Sequence, residues 1–180
     1  SNVFSGSGFV LTNAGKQSVF GIEFEGTVRP AKGLLLSMAV TYLNPKYDDF
    51  KNSAFGDITG VEPADIPPIS ATFNAQYDHA MPNDNHLILY ADFHYESEVA
   101  TVEGLNAFIV RDANGTPVDS SRSFLVASQF TREVEELNAS VTYAMANGLE
   151  LSVWGRNLLN DRYINVIFDG VAQPEAVSAY

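Results

Sequence analysis

Apolar and polar residues alternate with a period of two along six segments of the chain. The clearest case surrounds Asn147-Gly148, where residues 137–143 and 149–153 place an apolar side chain at every second position. This period is typical of β-strands, and Asn-Gly favours a tight turn because both residues tolerate positive φ. The pattern therefore predicts an antiparallel hairpin with one apolar face and one polar face.

The same alternation predicts a strand in each of the other segments. The predicted strands cover residues 19–29, 34–42, 69–77, 87–97, 131–144 and 149–158. Pro67-Pro68 marks the start of the third strand, because proline is tolerated at the first position of a strand but not in its interior. Residues 1–18 are rich in glycine, serine and asparagine, and we expect a loop or a frayed strand end there.

The connections between these strands are alternately short and long. The short connections are residues 29–33, 78–86 and 145–148, and the long ones are residues 43–66, 98–130 and 159–180. Consecutive antiparallel strands would place every short turn at one end of the sheet and every long loop at the other. Loops of this length in a compact domain are uncommon and usually functional. The predicted fold class is all-β, an antiparallel up-and-down meander.

Two architectures produce strands with one apolar and one polar face. A soluble sandwich or barrel turns the apolar face inward, whereas a membrane barrel turns it to lipid and keeps a polar lumen. The polar faces here carry carboxylates, amides, hydroxyls and His94, which would make a poor dry core. This composition favours the strands of a transmembrane β-barrel.

Tyrosine positions support the membrane interpretation. Tyr42 and Tyr95 lie at the long-loop ends of their apolar rows, and Tyr77 and Tyr143 lie at the short-turn ends. Tyrosines at both borders of an apolar band are typical of a membrane protein, because the ring is buried while the hydroxyl stays hydrated.

Composition narrows the function classes further. The chain is 46% hydrophobic but has no apolar run near the roughly 20 residues that a membrane-spanning helix needs. Its net charge of −12 argues against nucleic acid as a partner, because binding phosphate requires Lys and Arg. The absence of cysteine excludes a disulfide framework, a thiolate metal site and a cysteine nucleophile within these 180 residues.

Three pairs of titratable residues suggest chemistry, but each pair is incomplete. The pairs are Glu23 with Glu25, Asp92 with His94, and His79 with His86. The carboxylates lack a third group to tune them, and the Asp-His pair lacks a nucleophile motif. The two histidines lack a third metal ligand, and the acidic loop 43–66 lacks the calcium-loop pattern. The sequence predicts no enzyme activity, no cofactor and no metal site.

Six short motifs follow one another over nearly the whole chain. They are Asn13-Ala14-Gly15-Lys16, Gly21-Ile22-Glu23-Phe24-Glu25, Arg29-Pro30 with the strand after it, Tyr47-Asp48-Asp49-Phe50, Pro67-Pro68, and Trp154-Gly155-Arg156-Asn157-Leu158-Leu159-Asn160-Asp161-Arg162-Tyr163. In order and spacing they resemble the C-terminal barrel strands of TonB-dependent outer-membrane receptors. The last motif is similar to the one just before the final strand of that family.

The resemblance implies a barrel of about 22 strands with a plugged lumen, in the outer membrane of a bacterium. Residues 1–180 would be its C-terminal portion, without the plug and the last strand. The implied function is energy-coupled uptake of a scarce nutrient, such as a ferric siderophore, cobalamin, haem or a glycan. The implied partners are outer-membrane lipid, the rest of the barrel with its plug, an inner-membrane energy-coupling complex acting through the plug, and a small-molecule or siderophore ligand.

Positions in the long loops suggest the ligand contacts of such a receptor. The candidates are Tyr47, Phe50, Phe55, Arg111 and Arg122, and the alternative for each is ordinary loop packing.

Two other function classes remain open at this point. The chain could be a soluble binding module, namely a lipocalin-like barrel or a carbohydrate-binding sandwich, with the apolar rows as its core. It could also be a hydrolase that uses the Asp92/His94 or Glu23/Glu25 pair.

Overall fold

The chain folds as two antiparallel sheets. In the computed structural model the described residues are 2–5, 8–11, 15–51, 57–101 and 130–164. The strands are β1 (Asn2–Ser5), β2 (Gly8–Leu11), β3 (Lys16–Ala31), β4 (Leu34–Asp49), β5 (Ile69–Ala80), β6 (His86–Ala100), β7 (Thr131–Ala144) and β8 (Glu150–Gly155), with a 3₁₀ turn at Pro82–Asp84. None of the described residues forms a helix long and apolar enough to cross a membrane.

Strands β3 to β8 confirm the predicted meander. They form one six-stranded sheet in which every strand pairs antiparallel with the next strand in the chain. The short connections lie at one end, which we call the short-turn end, and the long connections lie at the other, the long-loop end. This arrangement follows from the strict alternation of connection lengths along the sequence.

The pairing register aligns the apolar residues of neighbouring strands on one face. One such row runs Gly26, Met38, Phe73, Phe93 and Leu137, and the next runs Val28, Leu36, Ala75, Ala91, Ala139 and Gly155. Because side chains alternate along a strand, a slip of one residue would have broken these rows. We call this surface the apolar face.

The intervening rows form the opposite surface, the polar face. One row runs Glu25, Ala39, Thr72, His94 and Glu136, and the next runs Thr27, Ser37, Asn74, Asp92 and Asn138. On this face, carboxylates, amides and hydroxyls of neighbouring strands therefore lie mostly beside other polar side chains.

Few side chains of the described residues are buried, and most of them lie outside the central rows of the sheet. The buried apolar residues are Tyr47, Phe50, Ile58, Ala71, Val99 and Val134. By contrast, Phe20 on β3 is 62% exposed and Val153 on β8 is 78% exposed. The apolar face is therefore an open surface and not a core formed against a second layer of the described residues.

Several strand ends differ from the sequence prediction. Strand β4 was expected to stop at Tyr42 but continues to Asp49, paired with residues 16–21 of β3. The predicted long loop 43–66 is therefore a strand in its first seven residues. A lipid-spanning strand needs only about 9–11 residues. The outer part of β4 therefore lies beyond the apolar band. Apolar and polar residues do not alternate there, so the sequence pattern did not predict a strand.

Other strand boundaries also differ from the sequence prediction. Residues 2–11 contain the β1–β2 hairpin, so a loop or frayed end was wrong for those two strands. Strand β6 extends to Ala100 through an irregularity between Glu96 and Val99. Strand β8 stops at Gly155 and not at Leu158, because Asn157 takes a positive φ of 48° that ends the extended conformation.

Candidate functional site at the long-loop end of the polar face

A chain of polar contacts crosses the polar face towards the long-loop end. The Thr72 hydroxyl lies 3.3 Å from His94 Nδ1, and His94 Nε2 lies 3.2 Å from Glu96 Oε1. Arg132 Nη2 then donates to Glu96 Oε2 at 3.1 Å. Strands β5, β6 and β7 each contribute to this chain because their register brings these positions into neighbouring rows.

A second polar network lies nearer the middle of the same face. Asn138 donates to Asp92 at 2.8 Å, and the Asn157 backbone amide donates to the Asn138 side chain at 2.9 Å. Tyr90 donates to Asn74, which in turn donates to Ser37. Such satisfied amide and carboxylate networks are consistent with a polar face that remains in contact with water or with polar groups.

A small apolar cluster stands at the long-loop end of β4. Tyr47 and Phe50 pack edge to face with ring centroids 4.9 Å apart, and Ile58 between the strand and the loop is fully buried. Val61 packs against the same group. Alternation along β4 places Tyr47 on the side of Thr41, so this cluster lies on the polar-face side of the sheet.

The cluster is completed by residues 57–66, which run back beside β4, a segment that we call the strap. Backbone hydrogen bonds join Tyr47 N to Val61 O at 3.1 Å, Gly60 N to Tyr47 O at 2.6 Å and Ile58 N to Phe50 O at 3.0 Å. The Thr59 hydroxyl accepts from Phe50 N at 3.0 Å. Together these bonds fix the near end of the strap to β4.

The far end of the strap lies against β6 and β7. Asp65 N donates to Ala100 O at 2.9 Å, and the Asp65 carboxylate lies 3.9 Å from Arg132 Nη1. Asp65 has a positive φ of 60°, which aspartate tolerates better than most residues. The polar chain from Thr72 to Arg132 therefore continues into the strap.

One carboxylate in the strap has a perturbed pKa. The Thr59 hydroxyl and backbone amide lower the pKa of Asp57 below its ordinary value of 3.8, and Lys51 adds a smaller effect in the same direction. The Thr59 amide donates to Asp57 Oδ1 at 3.0 Å, so the ionised form holds the first turn of the strap.

The predicted ligand contacts fall into two groups. Tyr47 and Phe50 are buried against Ile58 of the strap, at 5% and 4% exposure, so both serve as packing residues in this arrangement. Phe55, Arg111 and Arg122 lie outside the described residues. The five positions therefore stay a prediction.

Two of the three titratable pairs, Asp92 with His94 and His79 with His86, have structural partners that differ from the chemical hypotheses. Asp92 accepts a hydrogen bond from Asn138, while His94 contacts Thr72 and Glu96. His86 lies 2.6 Å from Asp78, whereas His79 lies near Tyr77. Across the described ranges, no group of three or more histidine or carboxylate residues is placed to hold a metal ion.

Sequence reasoning missed Asp65, Glu96 and Arg132. Each was one charged residue among many, and nothing in the local spacing joins positions 65, 96 and 132. Only the pairing of β6 with β7, together with the path of the strap, brings them together. The burial of Tyr47 could not be predicted either, because Ile58 and Val61, which pack against its cluster, are 11 and 14 residues away in a loop.

Comparison with known proteins identifies the family. The sequence model of the family described as "TonB dependent receptor-like, beta-barrel" matches residues 1–158. No curated protein and no solved structure matches the chain significantly.

Proposed function

Because the chain belongs to the TonB-dependent receptor-like β-barrel family, we propose that it forms part of the wall of a receptor for energy-coupled nutrient uptake. Members of this family are outer-membrane receptors and transporters of bacteria, not enzymes. The hydrolase hypothesis is therefore wrong. Our proposal concerns the finer points, namely which part of the receptor this chain supplies and what class of ligand it serves.

The observation that carries the proposal is the continuous apolar face of the six-stranded sheet. Its rows hold register across the sheet and are exposed on the outer strands and mostly half-buried on the central ones, while the opposite face is polar. In water, an apolar surface of this extent would be a strong driving force for aggregation. Lipid against the apolar face and a polar lumen against the other face account for both surfaces together.

The two outer strands support a position inside a larger barrel. Within the described ranges, β3 and β8 each pair with only one neighbour, so one edge of each strand has no backbone partner there. Unpaired edges are costly in a bilayer because backbone groups find no water to bond. Further strands of the same receptor would cover both edges, and a barrel of about 22 strands leaves room for a plug.

We propose a scarce nutrient of the siderophore, cobalamin, haem or glycan class as the ligand. Its contacts would come from the long-loop end, including Tyr47, Phe50, Phe55, Arg111 and Arg122. The plug of the same receptor would face the polar rows, and an inner-membrane energy-coupling complex would act through that plug. Family membership supports the lipid, plug and coupling partners in general terms.

The test is the intact mass of the native polypeptide, measured separately in the soluble fraction and in the detergent-extracted outer membrane. We expect a species several times heavier than 19.6 kDa, confined to the membrane extract. A soluble species of 19.6 kDa would overturn the proposal, because its apolar face would then have to be a core.

A further inference from the structure

The apolar face contains a groove between β3 and β7, with a volume of about 490 Å³. Small residues leave this space open, at Gly26 on β3, Ala75 on β5 and Ala91 on β6. Larger side chains of the same face border the space, among them Phe24, Phe73 and Phe93. The apolar face therefore offers a shaped site and not only a smooth apolar surface.

A second depression, of about 160 Å³, continues the groove towards the short-turn end. The two depressions share Ala75 and Ala91, and the second is bordered by Leu34, Tyr77 and Leu89. Tyr77 is at the short-turn border of the apolar band, so the two depressions form one path from that border to the middle of the band. We call this path the wall groove.

The central part of the wall groove offers an occupant no hydrogen bond from the side chains that the structure describes. Ser37, Asn74 and Asp92 also line it, but their side chains belong to the polar face. On that face Asn74 donates to Ser37, and Asp92 accepts from Asn138. A polar ligand would lose its hydrogen bonds to water in the groove, which favours a hydrocarbon as the occupant.

The volume of the groove selects among apolar occupants. A helix about 10 Å wide fills about 400 Å³ in each turn of about 5.4 Å. The central space of about 490 Å³ therefore holds little more than one helical turn, far less than a helix that spans the bilayer. An extended acyl chain has a narrower cross-section and can follow the path from the border to the middle of the band.

The short-turn border of the apolar band carries groups that suit a lipid phosphate. The Tyr77 hydroxyl lies 3.5 Å from His79 Nδ1. The Tyr77 ring lies against the β3–β4 turn, since a Cβ atom added at Gly33 would be 3.5 Å from the ring, and that turn carries the exposed Lys32. A hydroxyl, an imidazole and a cation at the edge of the membrane attract an anionic lipid headgroup.

The long-loop border carries the opposite charge. The Tyr95 hydroxyl donates to the Glu133 carboxylate at 3.3 Å, and Glu135 lies opposite Tyr95 in the register. Both carboxylates would repel a lipid phosphate. The charges therefore favour a lipid from the leaflet at the short-turn end.

We propose that the wall groove binds one acyl chain of a phospholipid from the leaflet at the short-turn end, with the lipid phosphate beside Lys32 and Tyr77. The proposal rests on the proposed function, since it requires lipid against the apolar face. It goes further by giving one lipid molecule a fixed position on the receptor wall. Because the acyl chain fills space that the small residues leave, it gains van der Waals contacts that a flat apolar face does not provide.

The test is native mass spectrometry of the full receptor, released from outer membranes in a mild detergent and washed to remove loosely held lipid. The mass of a retained adduct distinguishes a phospholipid from a glycolipid of the opposite leaflet and from a second copy of the receptor. Ala91→Phe places a ring in the groove, whereas Ala139→Phe places a ring in the same row of the apolar face, outside the groove. We expect a retained phospholipid in the parent, a decrease of about tenfold in its occupancy with Ala91→Phe, as for an overpacked site, and no change with Ala139→Phe.

A second pair of variants tests which border holds the phosphate. Lys32→Gln removes the cation at the short-turn border, and Lys46→Gln removes an exposed cation near the long-loop end of β4. We expect phospholipid occupancy to fall about fivefold with Lys32→Gln, since a cation near the membrane surface attracts an anionic lipid, and to be unchanged with Lys46→Gln. Equal effects of the two lysine variants would contradict the choice of leaflet.

A parent without a retained phospholipid would overturn the proposal, and so would equal occupancy in Ala91→Phe and Ala139→Phe. A retained glycolipid, or a second receptor copy displaced by Ala91→Phe, would also overturn it, because the occupant would then be a different molecule. Urea unfolding in detergent controls for folding, and Ala75→Phe, which enters the groove from β5, repeats the test if Ala91→Phe does not fold. A receptor found in the outer membrane without a retained phospholipid would refute only the lipid site and leave the proposed function intact.

Discussion

Gly33 illustrates how one backbone position determines a turn of the sheet. Its φ is +78°, and a Cβ atom added there would overlap the carbonyl oxygen of Asp78 on the neighbouring strand. Its own carbonyl accepts from Asp78 N at 2.8 Å, so the turn between β3 and β4 packs tightly against the end of β5. Only glycine satisfies both the conformation and the close approach.

We predict that Gly33→Ala destabilises the barrel more than Gly148→Ala does. Gly148 also has a positive φ, of +89°, but an added Cβ would meet no atom within 4 Å. Gly148→Ala should therefore cost only the conformational strain of about 1–2 kcal/mol, whereas Gly33→Ala adds a backbone overlap. Urea unfolding of the receptor in detergent measures both, and equal losses of stability would contradict the steric argument.

Asp57 gives a pH prediction at the same scale. Its pKa is lowered in the folded protein, so its stabilising contribution is present above the ordinary value of 3.8 and is lost as pH falls through the lowered pKa. We expect hydrogen-exchange protection of the Thr59 amide to decrease over that acid range. In Asp57→Asn the protection should be insensitive to pH over this range, because the amide oxygen still accepts but does not titrate.

The strands show which features can be predicted from the sequence and which cannot. Alternation identified β7 to the residue and the start of β4, because lipid or a core on one face requires a period of two. Alternation did not predict the strand from Leu43 to Asp49, because this part of β4 lies outside the apolar band. Alternation also predicted too long a strand β8. Near Asn157, hydrogen bonds between its side chain and the Asp161 backbone take the place of hydrogen bonds between strands.

The candidate site was less predictable than the strands, since it depends on contacts between distant residues. The aromatic residues at positions 47 and 50 were identified, but their burial depends on Ile58 and Val61 folding back. The Glu96–Arg132 pair depends on the irregular register of β6 after Glu96. Local patterns carry no information on either contact.

Strand β7 offers a direct comparison of the two faces. Ala139 lies on the apolar face midway between the row of Tyr95 and that of Tyr143, and its neighbour Ser140 points to the polar face. We predict that Ala139→Lys costs about 2–4 kcal/mol, as for a cation at the bilayer midplane. Ser140→Lys should change unfolding free energy by less than about 1 kcal/mol, and a larger loss at Ser140 than at Ala139 would reverse the assigned faces.

At the scale of the whole molecule, the sheet is incomplete as a soluble structure. Its largest exposed apolar side chains include Phe20 and Phe24 on β3 and Val153 on β8, the two strands with one partner each. We therefore predict that the isolated 180-residue chain aggregates in water without detergent, because edges and apolar surface associate. Analytical ultracentrifugation measures this, and a stable monomer would favour the soluble binding module.

The central claim is that the apolar face contacts lipid and the polar face contacts an aqueous lumen. The most direct test is a set of single spin labels at cysteines introduced along residues 137–143 of the receptor in lipid vesicles. We predict that oxygen, which concentrates in lipid, reaches the labels at the odd-numbered positions Leu137, Ala139, Val141 and Tyr143. A water-soluble nickel chelate should reach the labels at the even-numbered positions wherever the lumen is open. Odd-numbered positions shielded from both reagents would mean that the apolar face is a dry core, which would contradict the account.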